Sequence, residues 1–196
     1  MAVDFTTLAR VKKYLDIPTE TTVNDATLQT MITSVSATLE NALNRTVKTE
    51  SKTERRACPM TGVFTIYNGP ATSITSIRYS SSGMFSRDGV TLSSTSYELS
   101  PDGGSILIPD YRGPDGMLEV VYTGGMGTDT ADLQAKYPVL DQAATLQVAY
   151  LWGRHKSLGR TSTDLGGGST QWVGDYDLLD SVVAMLLPLR HQWAFA

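Results

Sequence analysis

Apolar positions near the start of the chain recur at helical spacing. Leu8, Val11 and Leu15 step by three and four, Thr6 or Asp4 is placed to cap the start, and Pro18 bars continuation past Ile17. A longer stripe follows, in which Leu28, Met31, Ile32, Val35, Leu39, Ala42 and Leu43 share one face behind an Asn24 or Asp25 cap. Thr27, Thr30, Thr33, Ser34, Ser36 and Thr38 fill much of the remainder, and their hydroxyls compete for backbone partners. This second helix therefore depends on packing more than on propensity. From Val47 to Thr128 the period shortens toward two. Strands are predicted over Val47 to Arg55, Val63 to Tyr67, Ser73 to Tyr79, Ser96 to Leu99, Ser105 to Ile108 and Met117 to Tyr122. Turn residues separate most of them: Asn68 to Pro70, Arg87 to Gly89, Pro101 to Gly104 and Gly113 to Gly116. Short strands at this spacing predict a small antiparallel sandwich or barrel-like sheet.

Past a glycine-rich stretch, Gly124 to Gly127, read as a hinge, the helical period returns. Pro138 suits a first turn, and Leu140, Ala144, Val148 and Leu151 fall on one face with Ala143 and Gln147 adjoining. Thr161 to Gly174 is rich in Gly, Ser and Thr and reads as a mobile loop. A last helix is expected from an Asp175 cap through Leu178, Leu179, Val182, Val183, Met185 and Leu186. Pro188 stops or kinks it and leaves a short aromatic tail. The order helices, strands, helices predicts an α+β chain. Its helical core is formed by both ends, residues 1–46 and 129–196, around an inserted antiparallel β module, residues 47–128. Neither end carries enough amphipathic helix to build a core alone.

Composition narrows the function classes. The 196 residues are 41% hydrophobic and 18% charged, with 16 basic and 20 acidic side chains for a net charge of −4, which is ordinary globular chemistry. Nothing in that balance marks a nucleic-acid binder or a polybasic membrane anchor, and acidic side chains outnumber basic ones in the strand-rich part. The longest apolar run, residues 182–187, is far short of the ~20 residues that a membrane-spanning helix needs. The N-terminal residues lack the basic and apolar regions of a secretory signal. Cys58 is the lone cysteine, so no internal disulfide or multi-cysteine metal site is expected.

Enzyme signatures fail one by one. His155 and His191 stand in no metal-binding frame, so no metal is expected. The glycines before Ser169 and Thr170 lack the lysine of a phosphate-binding loop, and Gly124, Gly125 and Gly127 miss dinucleotide spacing. Asp102, Asp110 and Asp115 sit beside turn glycines or prolines, where Asp serves its own backbone. No catalytic residue and no cofactor is expected. Arg154, His155, Lys156 and Arg160 form the densest positive patch of the second half. It reads either as a solvated helix C-terminus or as a contact for phosphate or an acidic partner. Arg55 and Arg56 beside Glu54 read as a solvated strand end. Tyr67, Tyr79, Tyr97, Tyr111 and Tyr122 read as cross-strand packing pairs, with a carbohydrate-stacking or enzymatic surface as the competing reading.

Several of these residues, in order, carry a family resemblance. Val11 to Leu15, then Asp25, Leu28 and Ile32, Glu40 and Arg45 resemble the first helical hairpin of the head–tail connector (adaptor) proteins of tailed bacteriophages. Gly69, Pro70, Ser73, Ile74, Ser76 and Ile77 resemble the start of that family's β insert. Tyr97, Leu99, Pro101, Asp102 and Gly103 match its middle, and Val120, Tyr122, Thr123 and Gly125 its end. Gln142, Ala143, Leu146, Val148, Ala149 and Leu151 are similar to the following helix, and Leu186, Leu187 and Arg190 to the tail. The chain departs from the family pattern in a longer Gly-rich loop after Arg160 and in extra length at Gly83 to Arg87.

The resemblance implies a structural virion neck protein, assembled in the host cytoplasm. It would form a homo-oligomeric ring, commonly a dodecamer, under the portal protein and receive head-closure or tail proteins. DNA would pass through the ring during ejection without sequence-specific binding, and an acidic net charge suits such a conduit. Another neck role, head closure or tail completion, is the nearest alternative. Portal docking is expected from the tail residues Pro188, Leu189, Arg190, Gln192, Trp193 and Phe195, with the tail disordered in the free protein. Gly166, Gly167, Gly168 and Trp172 are expected in a mobile interface loop, and no membrane partner is expected.

Overall fold

The structure is a computed structural model that describes residues 3–59, 61–109, 116–155 and 178–190, with 162–164 and 170–172 by their backbone. It opens with α1 (Leu8–Tyr14) and α2 (Asp25–Leu43). The strand-rich part follows as β1 (Glu50–Ala57), β2 (Val63–Thr65), β3 (Ala71–Ser80), α3 (Phe85–Asp88), β4 (Val90–Thr91), β5 (Glu98–Leu99), β6 (Ser105–Leu107) and β7 (Met117–Gly124). Helices resume with α4 (Thr130–Lys136) and α5 (Pro138–Arg154). Then come the strand pair β8 (Ser162–Asp164) and β9 (Thr170–Trp172), and last α6 (Asp180–Leu186). The chain divides into two compact units, Met1–Asn44 with Asp129–Ala196, and Arg45–Thr128.

In the helical unit α5 is the central element, packed by α1, α2, α4 and α6. Its apolar face is as expected, with Leu140, Ala143, Ala144 and Val148 fully buried. Asp141, Thr145 and Gln147 are buried too, because helices cover α5 on more than one side. Each has a partner. Arg10 lies 2.5 Å from Asp141, the Thr6 and Thr145 hydroxyls are 2.9 Å apart, and Gln147 accepts the Leu179 N–H at 3.0 Å. Leu28, Ile32, Val35, Leu39 and Leu43 of α2 are buried as the stripe predicts. Thr30 and Thr38 turn their hydroxyls onto the carbonyls of Ala26 and Ser34, the backbone competition expected of them.

Several local expectations are corrected. The cap of α1 is Thr7, whose side chain accepts the Arg10 N–H, because Thr6 faces Thr145 and Asp4 accepts from Gln29. Asn24 precedes α2 without a side-chain cap bond. The short α4 was not expected; Asp129 caps it by accepting from the Asp132 N–H at 2.9 Å. Its single buried side chain, Leu133, leaves no periodicity to read. Lys12, on a helix of charged appearance, is 4% exposed. Its Nζ lies 2.7 Å from Asp25 and donates to the Thr19 carbonyl at 3.0 Å. Part of the stretch read as a loop after Arg160 is instead the antiparallel pair β8 and β9, where Ser and Thr suit extended backbone. Gly166, Gly167 and Gly168 lie outside the described residues.

The strand-rich unit is a sandwich of two antiparallel sheets, β1-β7-β3-β4 and β2-β6-β5. Phe64, Ile66, Ile106 and Ile108 from one sheet meet Ile77, Leu118, Val120 and Tyr122 from the other in a single core. β1 pairs with β7 in unbroken register from Glu50↔Gly124 to Ala57↔Met117. The 100–104 turn behaves as its residues predict. Asp102 accepts from the Ser100 hydroxyl and the Gly104 N–H, and the Ser100 bond holds its carboxyl below the usual range. Gly103, at φ +66°, has no room for a side chain, since a Cβ would lie 2.4 Å from the Ala71 carbonyl oxygen. The expected hinge at 124–127 is a tied corner. Gly125 donates to the Pro70 carbonyl, Met126 and Gly127 to that of Val47, and Met126 is buried. Glycine serves close approach there rather than motion, because a Cβ on Gly125 would meet the Lys48 carbonyl oxygen at 2.5 Å.

Candidate interaction site

The positive patch begins where α5 ends. Lys156 and Arg160 lie outside the described residues, while Arg154 and His155 are half-buried against aromatic rings. The Arg154 guanidinium sits 5.1 Å from the Tyr150 ring centroid and bonds to its hydroxyl. The His155 ring stacks on Trp152 at 4.4 Å with an interplanar angle of 19°, and its Nδ1 meets the Trp152 carbonyl. The helix C-terminus thus holds the Arg154 guanidinium and the His155 imidazole against aromatic rings instead of leaving them freely solvated. It can receive an anionic or π-stacking group.

The second expected site is the chain's last described segment. α6 starts at Asp180 rather than near Asp175, which lies outside the described residues, and Leu178 and Leu179 precede it. Val182 and Leu186 are buried, while Val183 and Leu187, four residues apart, are 41% and 53% exposed. Pro188 does not end the hydrogen-bonded chain. It falls within a 3-10 turn, Leu187–Leu189, and the Arg190 N–H donates to the Leu186 carbonyl at 3.0 Å. Proline loses only its own donor, and the first turn of a helical segment needs none. Pro188 and Arg190 are exposed and Leu189 is half-buried; Gln192, Trp193 and Phe195 lie outside the described residues.

In the sandwich, of the residues read as a solvated strand end, Arg55 stays exposed, whereas Glu54 is buried at the centre of a hydrogen-bonded network that half-buried Arg56 joins. Glu54 is 8% exposed, and its carboxylate accepts the Tyr122 hydroxyl, the Tyr67 and Asn68 N–H groups and the Arg56 guanidinium. Arg56 also lies over the rings of Phe64 and Tyr67. Burial first, then the Glu54 carboxylate, push the Tyr122 phenol well above its ordinary value. On the other side of β1, Glu119 binds Arg55 at 2.6 Å and Arg78 at 3.2 Å, and both guanidiniums lie within 6 Å of the Phe85 ring centroid. Tyr122 is fully buried, Tyr79 and Tyr97 are half-buried against the core and Tyr67 lies under Arg56, as the packing reading expects; Tyr111 lies outside the described residues. Among the described residues no cluster of three metal-ligating side chains occurs, and no helix is long and apolar enough to cross a membrane.

The fold matches that of known particle proteins. The family model for head completion proteins matches residues 4–191, and the chain belongs to that family. It is accordingly a structural virion protein of the tailed-phage type and not an enzyme. A chain from the neck of an empty gene transfer agent particle, computed with C6 symmetry, superposes with a TM-score of 0.62 at 18% identity. The match covers 100% of this chain and 95% of that one. A chain from the virion of the native particle gives 0.60 at 17% identity with the same coverages. One from the native neck, computed with C12 symmetry, gives 0.58 at 16%, covering 100% and 98%. No curated protein matches the chain.

Proposed function

We propose that the protein is a head–tail connector: a ring beneath the portal vertex on which head-closure or tail proteins assemble and through which DNA passes. The observation that carries this reading is the match over nearly the whole chain, both to the head completion family and to chains from particle necks computed with C6 or C12 symmetry. Twelvefold repetition of one head-to-tail contact gives a closed ring. The net charge of −4 supports a conduit that does not retain DNA through strong phosphate attraction.

Within this reading the chain has two modules, residues 1–46 with 129–196 as the ring-forming helical core and 47–128 as the β module. The exposed face of α6 and the following tail, including Pro188, Leu189, Arg190, Gln192, Trp193 and Phe195, dock on the portal. Arg154, His155, Lys156 and Arg160 contact phosphate or an acidic partner surface, and the segment holding Gly166, Gly167, Gly168 and Trp172 orders at an interface. Assembly takes place in the host cytoplasm, and the ring acts again when the genome is ejected. The family's own description favours a second role, completion of the head. Light scattering after size exclusion, on the chain alone and with the cognate portal protein, tests the proposal. A ring-sized mass that co-elutes with portal is expected, whereas a monomer that ignores portal contradicts it.

A further inference from the structure

A groove of about 700 Å³ runs along the helical unit between α1 and α5, lined by Arg10, Lys13, Tyr14, Gln142, Thr145 and Leu146. Each helix supplies positions i, i+3 and i+4, so the two triads face one trough. The charge of Arg10 is balanced by buried Asp141. Lys13 is exposed, and among the described residues no carboxylate pairs with it. Tyr14, 54% exposed, and half-buried Leu146 add apolar surface. The groove asks for a segment that brings one carboxylate and one small apolar side chain.

The loop between α1 and α2 carries that chemistry. Asp16 and Glu20 are exposed and unpaired among the described residues. Val23, at 88%, is the most exposed large hydrophobic residue among those described. The loop is also held in place. Buried Lys12 grips the Thr19 carbonyl and Asp25, Ile17 donates to the Lys12 carbonyl at 2.9 Å, and Thr21 to that of Pro18 at 3.0 Å. A segment fixed before binding loses little entropy when it docks. This gives the buried lysine a purpose beyond stability: it presents Glu20 and Val23 in one geometry.

We infer that residues 16–24 of one copy dock in the α1/α5 groove of the next, with Glu20 beside Lys13 and Val23 against Tyr14 and Leu146. Groove and loop are different surfaces of the same chain, so the contact is head-to-tail and repeats around a ring. The inference rests on the ring reading above and names the surface that closes it. Complementary charge on a rigid loop favours a second copy over an unrelated acidic partner.

Two full-length variants, Lys13→Glu and Glu20→Lys, test it, with assembly followed by light scattering and helical content by circular dichroism. Each alone is expected to fold normally and to need about tenfold more protein to assemble, since a favourable pair becomes a repulsive one. Their equimolar mixture is expected to assemble like the wild type, because in alternating copies every groove meets a loop of opposite charge. Fold damage could not produce that recovery. A mixture no better than its components, or single variants that assemble like the wild type, overturns the inference while the ring reading stands. The groove would then serve an acidic segment of another virion protein. A wild type that stays monomeric at every concentration overturns both.

Discussion

Tyr122 of β7 donates its phenolic hydrogen to the carboxylate of Glu54 on β1, inside a sandwich where Tyr122 is fully buried and Glu54 nearly so. The Asn68 N–H reaches both groups, at 3.2 Å from Glu54 and 3.3 Å from the phenol oxygen, so the network ties the chain before β3 to the central sheet. A charged acceptor makes this bond stronger than a neutral one, and it cannot be deleted without leaving a buried carboxylate short of a donor.

The Tyr122→Phe variant should therefore lose about 1–2 kcal/mol at neutral pH, measured by urea unfolding. The pH dependence has a definite sign. The phenol is held above its ordinary value near 10, so the protonated form is favoured by folding. Its contribution is complete below pH ~10 and is lost as pH rises toward the folded-state value. The wild type should lose stability more steeply above pH ~10 than Tyr122→Phe does, and parallel curves would contradict the assignment.

Lys12 gives a second check. Replacing it with Met leaves the Thr19 carbonyl without its donor and Asp25 without its cation. Asp25 retains 28% exposure, so the expected cost is about 2 kcal/mol, below that of breaking a fully buried pair. Thermal unfolding of the two proteins at neutral pH measures it. An unchanged midpoint would show that the loop is held by its backbone bonds alone.

Much of the fold is legible in the sequence, and its failures share a cause. Period and turn chemistry report which face of an element is apolar, so the α2 stripe, most strands and the Asp102 turn are readable. They do not report what covers the other face. Lys12, Asp141 and Glu54 have the residue types of a solvated surface, yet each is buried because a second element closes over it. The four residues of α3 are too few to establish a period, and α4 buries Leu133 alone, so neither leaves an apolar stripe to read. Of the candidate site, the Arg154 and His155 cluster is visible as charge. The exposed pair Val183 and Leu187 hides within an apolar run, since exposure depends on where α5 lies.

Excising the β unit tests the modular reading. The break belongs at its boundaries, because a cut at Asn68 and Tyr122 would strand β1 without β7. Replacing residues 45–128 with a Gly-Ser linker should leave a helical protein that still assembles. Loss of all soluble helical protein would show that the sandwich is required for folding.

Removing residues 191–196 spares the 3-10 turn at Leu187–Leu189 and its bond from Arg190 to Leu186. The melting temperature should stay within a few degrees of the wild type, a shift corresponding to about 1 kcal/mol or less, while binding to portal-bearing heads is abolished. A large drop in melting temperature with heads still bound would mean that the tail folds back on its own helices.

The central claim, that this chain is a ring in the particle's neck, is tested most directly by cryo-electron microscopy of intact virions without imposed icosahedral symmetry. The account predicts density for this α+β fold as a ring at one vertex only, between portal and tail. Virions that lack the chain, or that carry it over the whole capsid surface, would contradict it.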